Sequence, residues 1–416
     1  MKNKNNNNGL LVKGEMDVPF FLLTLALLAF GLVMLMSASH VYAFYNTANN
    51  DSFYFIKRQA IFAFGGVIIM YVISRFNYEI LKKFVYVGML VSWLLLIYCV
   101  IKPGDEEIKR RIDLGLFSFQ PSEIAKYMII LFCAYKLDKN HRDVISDKVA
   151  SLKFCRTLYQ KLHIKITQGT VTLFGYAIVI GATALLVYMG SHLSGAILIL
   201  LIGIAMLWMG EGRARWFGIG LVVVAVVAIF AIFNYENLPI LKDYMIDRIK
   251  AWRIKDYDPQ GARWQINHSL YALGSGGLLG AGLGNSKQKY LYVSESHTDF
   301  IFSIIGEELG FVGCVILLVL FAALIIRGIY IGMHAKDRFG ALLSFGMVMQ
   351  LGLQVMFNVA VVSDLVPNTG ISLPFFSYGG SALLITLAEM GTVLSISRQA
   401  DLPKVYTLKR NKAQEV

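Results

Sequence analysis

Six residues, Ser294-Glu295-Ser296-His297-Thr298-Asp299, put hydroxyls, a histidine and two carboxylates directly ahead of an apolar run that begins at Phe300. Polar groups at a water–lipid boundary can meet a substrate that has a wet head and an oily tail. An aspartate there can take a proton from a hydroxyl, with the histidine and hydroxyls as hydrogen-bonding neighbours. Asp299 also suits the positive end of a helix dipole, so a purely structural role stands beside the chemical one.

Further charges lie inside apolar segments: Glu123, Glu307, Glu308 and Glu389. Each costs about 2.5–3.5 kcal/mol at a helix centre, so each needs a partner or a wet cavity. Glu123 and Lys126 are three apart, share a helical face and can pair. Glu307 and Glu308 fall about 12–14 Å deeper than Asp299 at helical rise and read as structural groups facing other helices. Lys109-Arg110-Arg111 is a cationic run able to bind a phosphate or pyrophosphate. Asp105, Glu106 and Glu107 stand close enough in sequence to neutralise it instead. The run Pro367 to Ser381, which includes Ser377, holds two prolines and three glycines and sets a non-helical path. Its hydroxyls and free amides suit sugar groups, and a re-entrant turn with no ligand fits equally well.

The elements that must position these residues are membrane helices. The chain has 416 residues, 56% of them hydrophobic and only 16% charged, with a mean hydropathy of +0.58. Soluble proteins carry near 25% charge. The pattern predicts an all-α polytopic membrane protein with about ten spans of roughly 20 residues. They are Val18–Ser39, Ala60–Ile73, Phe84–Ile101, Ile124–Leu137, Val171–Met189, Leu193–Met209, Phe217–Phe233, Phe300–Ile326, Ala341–Val362 and Ala382–Ile396. Around the membrane domain 18–396 lie two cytoplasmic tails, 1–17 and 397–416. A cytoplasmic loop spans 137–170, and a long extracellular loop, 234–299, joins helices seven and eight.

With the N-terminus inside, 24 Lys and Arg fall on the cytoplasmic side against 14 outside, 8 of those in the one long loop. Both termini are therefore expected on the cytoplasmic side of the membrane. The net charge of +12 reflects this topology and contact with membrane lipids rather than nucleic acid. Asp243–Arg253 reads as an amphipathic helix on the outer leaflet, followed by a glycine-rich irregular turn. The four cysteines form neither a disulfide framework nor a metal spacing.

Together these pieces resemble the SEDS family (shape, elongation, division and sporulation), the FtsW/RodA/SpoVE polytopic proteins. The resemblance is carried by Gly31-Leu32-Val33-Met34 with Ser37-Ala38-Ser39, and by Gln120-Pro121-Ser122-Glu123 with Lys126. It continues in His297-Thr298-Asp299-Phe300-Ile301-Phe302 with Gly306-Glu307-Glu308-Leu309-Gly310, and in Pro367 to Ser381. The first motif and the Glu-Glu core look nearer to FtsW or SpoVE than to RodA. Two positions depart from the family pattern: Arg111 follows Arg110 where a tryptophan is frequent, and His192 stands where an aspartate is frequent.

The resemblance implies a peptidoglycan glycosyltransferase that polymerises lipid II with inversion and releases undecaprenyl pyrophosphate. It implies Asp299 as the catalytic carboxylate and Glu123 with Lys126 as a functional pair. Arg110, His297, Thr298 and Ser377 join them as substrate-binding candidates, and Mg or Mn is a possible divalent cofactor. The implied partners are a class B penicillin-binding protein, the transpeptidase, and other division or sporulation membrane proteins. Two other classes fit the same residues: a lipid II flippase or transporter working through Glu123, Lys126 and Glu307, and a non-catalytic scaffold for the transpeptidase.

Overall fold

Apolar runs become helices here because a backbone surrounded by lipid must satisfy its own hydrogen bonds. The computed structural model describes residues 11–12, 14–47, 50–101, 111–113, 118–146, 148, 150, 152, 167–211, 218, 220, 222, 226, 230, 233–235, 243–261 and 263–402. Its helices are α1 (Val18–Asn46), α2 (Tyr54–Arg75), α3 (Leu81–Ile101), α4 (Pro121–Lys139), α5 (His141–Val144) and α6 (Gln168–Met189). They continue with α7 (Leu193–Glu211), α8 (Asp243–Arg253), α9 (Trp264–Ser275), α10 (Ile301–Met333), α11 (Arg338–Val362) and α12 (Gly380–Ser397). A two-residue antiparallel ladder joins β1 (Ile112–Asp113) to β2 (Ser118–Phe119).

Among the described residues eight helices, α1, α2, α3, α6, α7, α10, α11 and α12, are long and apolar enough to cross a membrane. The short expected spans grow at their ends, Ala60–Ile73 into α2 and Ala382–Ile396 into α12. The expected span Phe217–Phe233 lies largely outside the described residues. So do Arg110 and most of the 137–170 loop.

The helix α4 stands where the fourth span was expected, and its position explains its charges. It packs against α3, α6, α7, α11 and α12, so Glu123 and Lys126 are enclosed by protein rather than lipid. Large apolar side chains on α2 and α3, such as Ile61, Phe64, Val87 and Leu90, remain exposed and form the lipid-facing side.

The α10 helix is broken at Gly310, whose φ is 67° and ψ −169°. Phe311 N and Val312 N, which lose helical partners there, donate to Gly277 O at 2.9 Å and Leu278 O at 3.1 Å. In return Ala281 N and Gly282 N donate to Glu307 O at 2.9 Å and Glu308 O at 3.0 Å. The glycine-rich segment thus lies against the break and satisfies it. A Cβ on Gly310 would meet Gly280 N at 2.3 Å, and one on Gly280 would meet Glu308 O at 2.2 Å. The sequence pattern had indicated one continuous helix followed from a separate irregular turn. The helix α9 between α8 and the glycines was likewise not foreseen, because its apolar residues are few and interrupted by polar ones.

Glu307 and Glu308 are held within the protein, as expected. Glu307 accepts from Lys287 N at 2.8 Å and Gln288 N at 3.3 Å, as well as from Ser286 Oγ. Glu308 accepts from Ser37 Oγ at 2.7 Å and Lys289 Nζ at 2.9 Å. That explains Ser37 in the Ser-Ala-Ser motif. The bounds of α8 coincide with the expected amphipathic helix, but its apolar side, Met245 and Ile249, is buried against the protein rather than laid on the outer leaflet. Trp252 Nε1 donates to Asp364 O at 3.1 Å and Arg263 pairs with the Asp364 carboxylate at 2.6 Å, pinning α8 to the loop after α11.

At the opposite end of the bundle, Asp17 caps α1 by accepting from Phe20 N at 2.9 Å and pairs with Arg327 at 2.7 Å. Nearby in sequence order, Lys82 bridges to Asp337 at 3.1 Å and Asp138 at 3.7 Å, and Arg338 reaches His141 at 2.9 Å. The loops assigned to one side by their Lys and Arg content thus bond among themselves.

Candidate functional site

A cavity of about 470 Å³ opens among the loop segments at the other end of the bundle. Its helix-borne wall carries Glu123, Lys126, Leu198, Gln354, Leu383 and Thr386. Arg58 joins it from the start of α2, and the loop-borne walls carry Arg111, Gln120, His192, the segment Glu295 to Asp299 and the segment Gly370 to Gly379. The volume falls within the usual range for a small-molecule site. Every connection assigned outward from the sequence contributes to it.

Local chemistry fixes each wall. Pro121 opens α4, so Glu123 falls in its first turn and Lys126 one turn on. Their charged atoms meet at 2.9 Å, and the side chains are 7% and 1% exposed. An ion pair enclosed this way is costly to desolvate and is kept in place by its mutual attraction. His192, at the start of α7, packs on the same turn, with Nδ1 3.0 Å from Ser122 Oγ and 3.3 Å from Gln120 Nε2. The β1–β2 ladder brings Arg111 and Gln120 to either side of the cavity edge.

Asp299 lines the cavity half-buried, one residue before the cap of α10. His297 is 4% exposed and lies among Phe55, Tyr42 and Tyr378, ring centroids 4.5, 4.6 and 6.1 Å away. Its Nδ1 has no partner among the described residues. Burial, helped by the Arg111 charge, pushes its imidazole down to about 4, so it is neutral at neutral pH. Burial also raises the Tyr378 phenol, while its hydrogen bond to Arg58 draws it back. Cations and carboxylates therefore share one enclosure: Arg58 and Arg111 with Glu295 and Asp299, and the Glu123–Lys126 pair on the helix side.

Six of the seven residues singled out by sequence come together here: Asp299, Glu123, Lys126, His297, Thr298 and Ser377. The seventh, Arg110, lies outside the described residues, while its neighbour Arg111 lines the cavity. Two of the six have their hydroxyls engaged within the protein. Thr298 Oγ1 donates to Glu295 Oε2 at 2.6 Å, and Ser377 Oγ donates to Thr298 O and accepts from Leu373 N, both at 2.7 Å. Sequence reading missed Arg58, Gln120, Glu295 and Gln354 as site residues. Arg58 carried a faint signal, a cation beside Lys57 at the start of an apolar run.

Comparison with known proteins gives the family. A model of the family FtsW/RodA/SpoVE, described as "Cell cycle protein", matches residues 18–402. A relative from Trichlorobacter lovleyi named "Probable peptidoglycan glycosyltransferase FtsW" is 36% identical over 92% of this chain and 93% of its own length. "Stage V sporulation protein E" of Bacillus subtilis is 36% identical over 93% of this chain and 98% of its own. Among solved structures, one chain of "Structural coordination of polymerization and crosslinking by a peptidoglycan synthase complex" superposes with a TM-score of 0.67 at 25% identity. It covers 92% of this chain and 98% of that one. The rod shape determining protein RodA of Thermus thermophilus shares the fold, with a TM-score of 0.61 at 24% identity over 93% of this chain and 98% of that one.

Proposed function

The chain belongs to the FtsW/RodA/SpoVE (SEDS) family and is of its FtsW/SpoVE type, and on that premise we propose that it is a peptidoglycan glycosyltransferase that polymerises lipid II. The observation that carries the reading is a cavity that gathers Asp299, two arginines and a buried ion pair at one end of a membrane bundle. That end is taken as the outer one, with both termini cytoplasmic.

In the proposed reaction the C4 hydroxyl of the acceptor GlcNAc attacks C1 of the donor MurNAc. Asp299 accepts the hydroxyl proton as the new C1–O bond forms. The old C1–O bond breaks with its electron pair going to undecaprenyl pyrophosphate. One displacement inverts C1 and needs one carboxylate, unlike a double displacement. Asp299, on the cavity wall, is the carboxylate placed to meet that need. Pyrophosphate leaves as an anion, and charge placed where it develops can substitute for an acid. Arg58 and Arg111 line the cavity and supply that charge.

Lys126, held by Glu123, keeps the helix-borne wall polar without adding net charge. His297, neutral and fixed among aromatic rings, offers a hydrogen bond to sugar without repelling the arginines. Among the described residues no group of three or more His, Cys, Asp or Glu side chains is arranged to hold a metal ion, and no step here is routed through one. A class B penicillin-binding protein is the proposed partner that crosslinks the strands, in division or sporulation.

The test places purified protein in liposomes with fluorescent lipid II, following strand formation and transbilayer movement together. Strands without accelerated movement support the polymerase. Movement without strands would transfer the cavity to the transporter reading.

A further inference from the structure

Three successive carbonyls in the segment that carries Asp299 are each held from the last outer loop or the helix before it. Tyr378 N donates to His297 O at 2.9 Å. Ser377 Oγ donates to Thr298 O at 2.7 Å, and Asn358 Nδ2 to Asp299 O at 2.8 Å. The same Nδ2 gives its second proton to Ile371 O at 2.7 Å. Both acceptors are carbonyls, so only the amide nitrogen can serve them, and its orientation follows from its partners. Asn358 is fully buried near the end of α11, and it is not among the residues that line the cavity.

We propose that Asn358 is a positioning residue that clamps the backbone of Asp299 to the Gly370–Gly379 wall, fixing where the catalytic carboxylate stands relative to the substrate held between them. Its consequence for catalysis rests on the polymerase reading. The clamp reaches from a rigid helix to two loops that otherwise carry their own conformational freedom. Without the amide, two buried carbonyls lose their donor, and unpartnered buried groups drive local rearrangement. A shift of about 1 Å in a catalytic group is enough to cost about 10²-fold in rate. The Ser377 and Tyr378 bonds restrain the same segment one and two residues earlier, at Thr298 O and His297 O, and Asn358 extends the clamp to the carbonyl of Asp299.

The test compares Asn358→Ala and Asn358→Asp with wild type, each also combined with Asp299→Asn. Lipid II polymerisation gives kcat and KM. Hydrogen–deuterium exchange of peptides covering 297–303 and 371–378 gives a readout free of activity. The clamp predicts kcat lower by about 10²-fold with KM within about twofold, faster exchange in both segments, and no further loss of the residual rate in the Asp299→Asn background. Unchanged exchange, an effect on KM alone, or an undiminished loss in that background would overturn it. Should both Asn358 variants fail to fold, Ser377→Ala removes the adjacent tether. Faster exchange at 297–303 with a lower kcat then supports the clamp, and an unchanged kcat overturns it. A wild type that makes no strands refutes the polymerase reading, while the exchange data still decide the clamp.

Discussion

Glu123 and Lys126 illustrate what a residue type and spacing can establish. Two opposite charges three apart on an otherwise apolar helix had to meet, and they do, at 2.9 Å. Glu123→Gln alone leaves a buried ammonium uncompensated and is expected to cost about 3–5 kcal/mol. Glu123→Gln combined with Lys126→Met removes both charges and should recover much of that loss. Thermal unfolding in detergent reads the difference; equal losses in the single and double variants would deny the pair its structural role. His297 makes a second prediction. Its folded value, about 4, lies below the ordinary 6.5, so the unfolded chain binds more protons between those pH values. Stability is therefore complete above about pH 6.5 and is lost as pH falls toward 4, by roughly 3 kcal/mol. In His297→Gln the melting temperature should fall less steeply across that interval than in wild type. Asp299, Glu123 and Lys126 were legible because each is an anomaly in its own segment. Arg58 and Gln120 were not, because an arginine at the start of a helix or a glutamine in a loop is ordinary until distant segments converge on it.

Helices were legible in the same way and for a plain reason: lipid enforces long apolar runs. The bounds of α6, α7 and α11 therefore lie within a few residues of the expected spans. What escaped was structure stabilised by partners far along the chain. No local signal says that Gly310 would interrupt α10 or that residues 277–282 would supply its missing bonds. The clash at Gly310 makes a prediction at this scale. Gly310→Ala sets a Cβ 2.3 Å from Gly280 N, whereas Gly284→Ala, with φ +83°, meets nothing within 4 Å. Both bear a positive-φ backbone cost of about 1–3 kcal/mol. Only Gly310→Ala must also push two segments apart. It should lower the melting temperature well beyond Gly284→Ala, and similar values would show that the glycine segment is loosely seated.

At the scale of the molecule, the Lys and Arg bias divides the loops into two sets, and among the described residues the two sets gather separately. One end pairs Asp17 with Arg327, Lys82 with Asp138 and Asp337, and Arg338 with His141. The other end assembles the cavity. With Cys155 replaced by Ser, Leu365→Cys should react with a membrane-impermeant maleimide in intact cells. Lys336→Cys should react only after permeabilisation; the reverse pattern would put Asp299 on the cytoplasmic side, where it could not extend an external wall. The ion pair, the break in α10 and the clamp at Asn358 all bear on where one carboxylate stands. The most direct measurement is therefore polymerisation of labelled lipid II by wild type and Asp299→Asn, each purified with and without a class B partner and resolved on a glycan gel. Loss of a base typically costs about 10²–10⁴-fold, so long strands are expected from the wild type and almost none from the folded variant. Strands of equal length and yield from both would contradict the account.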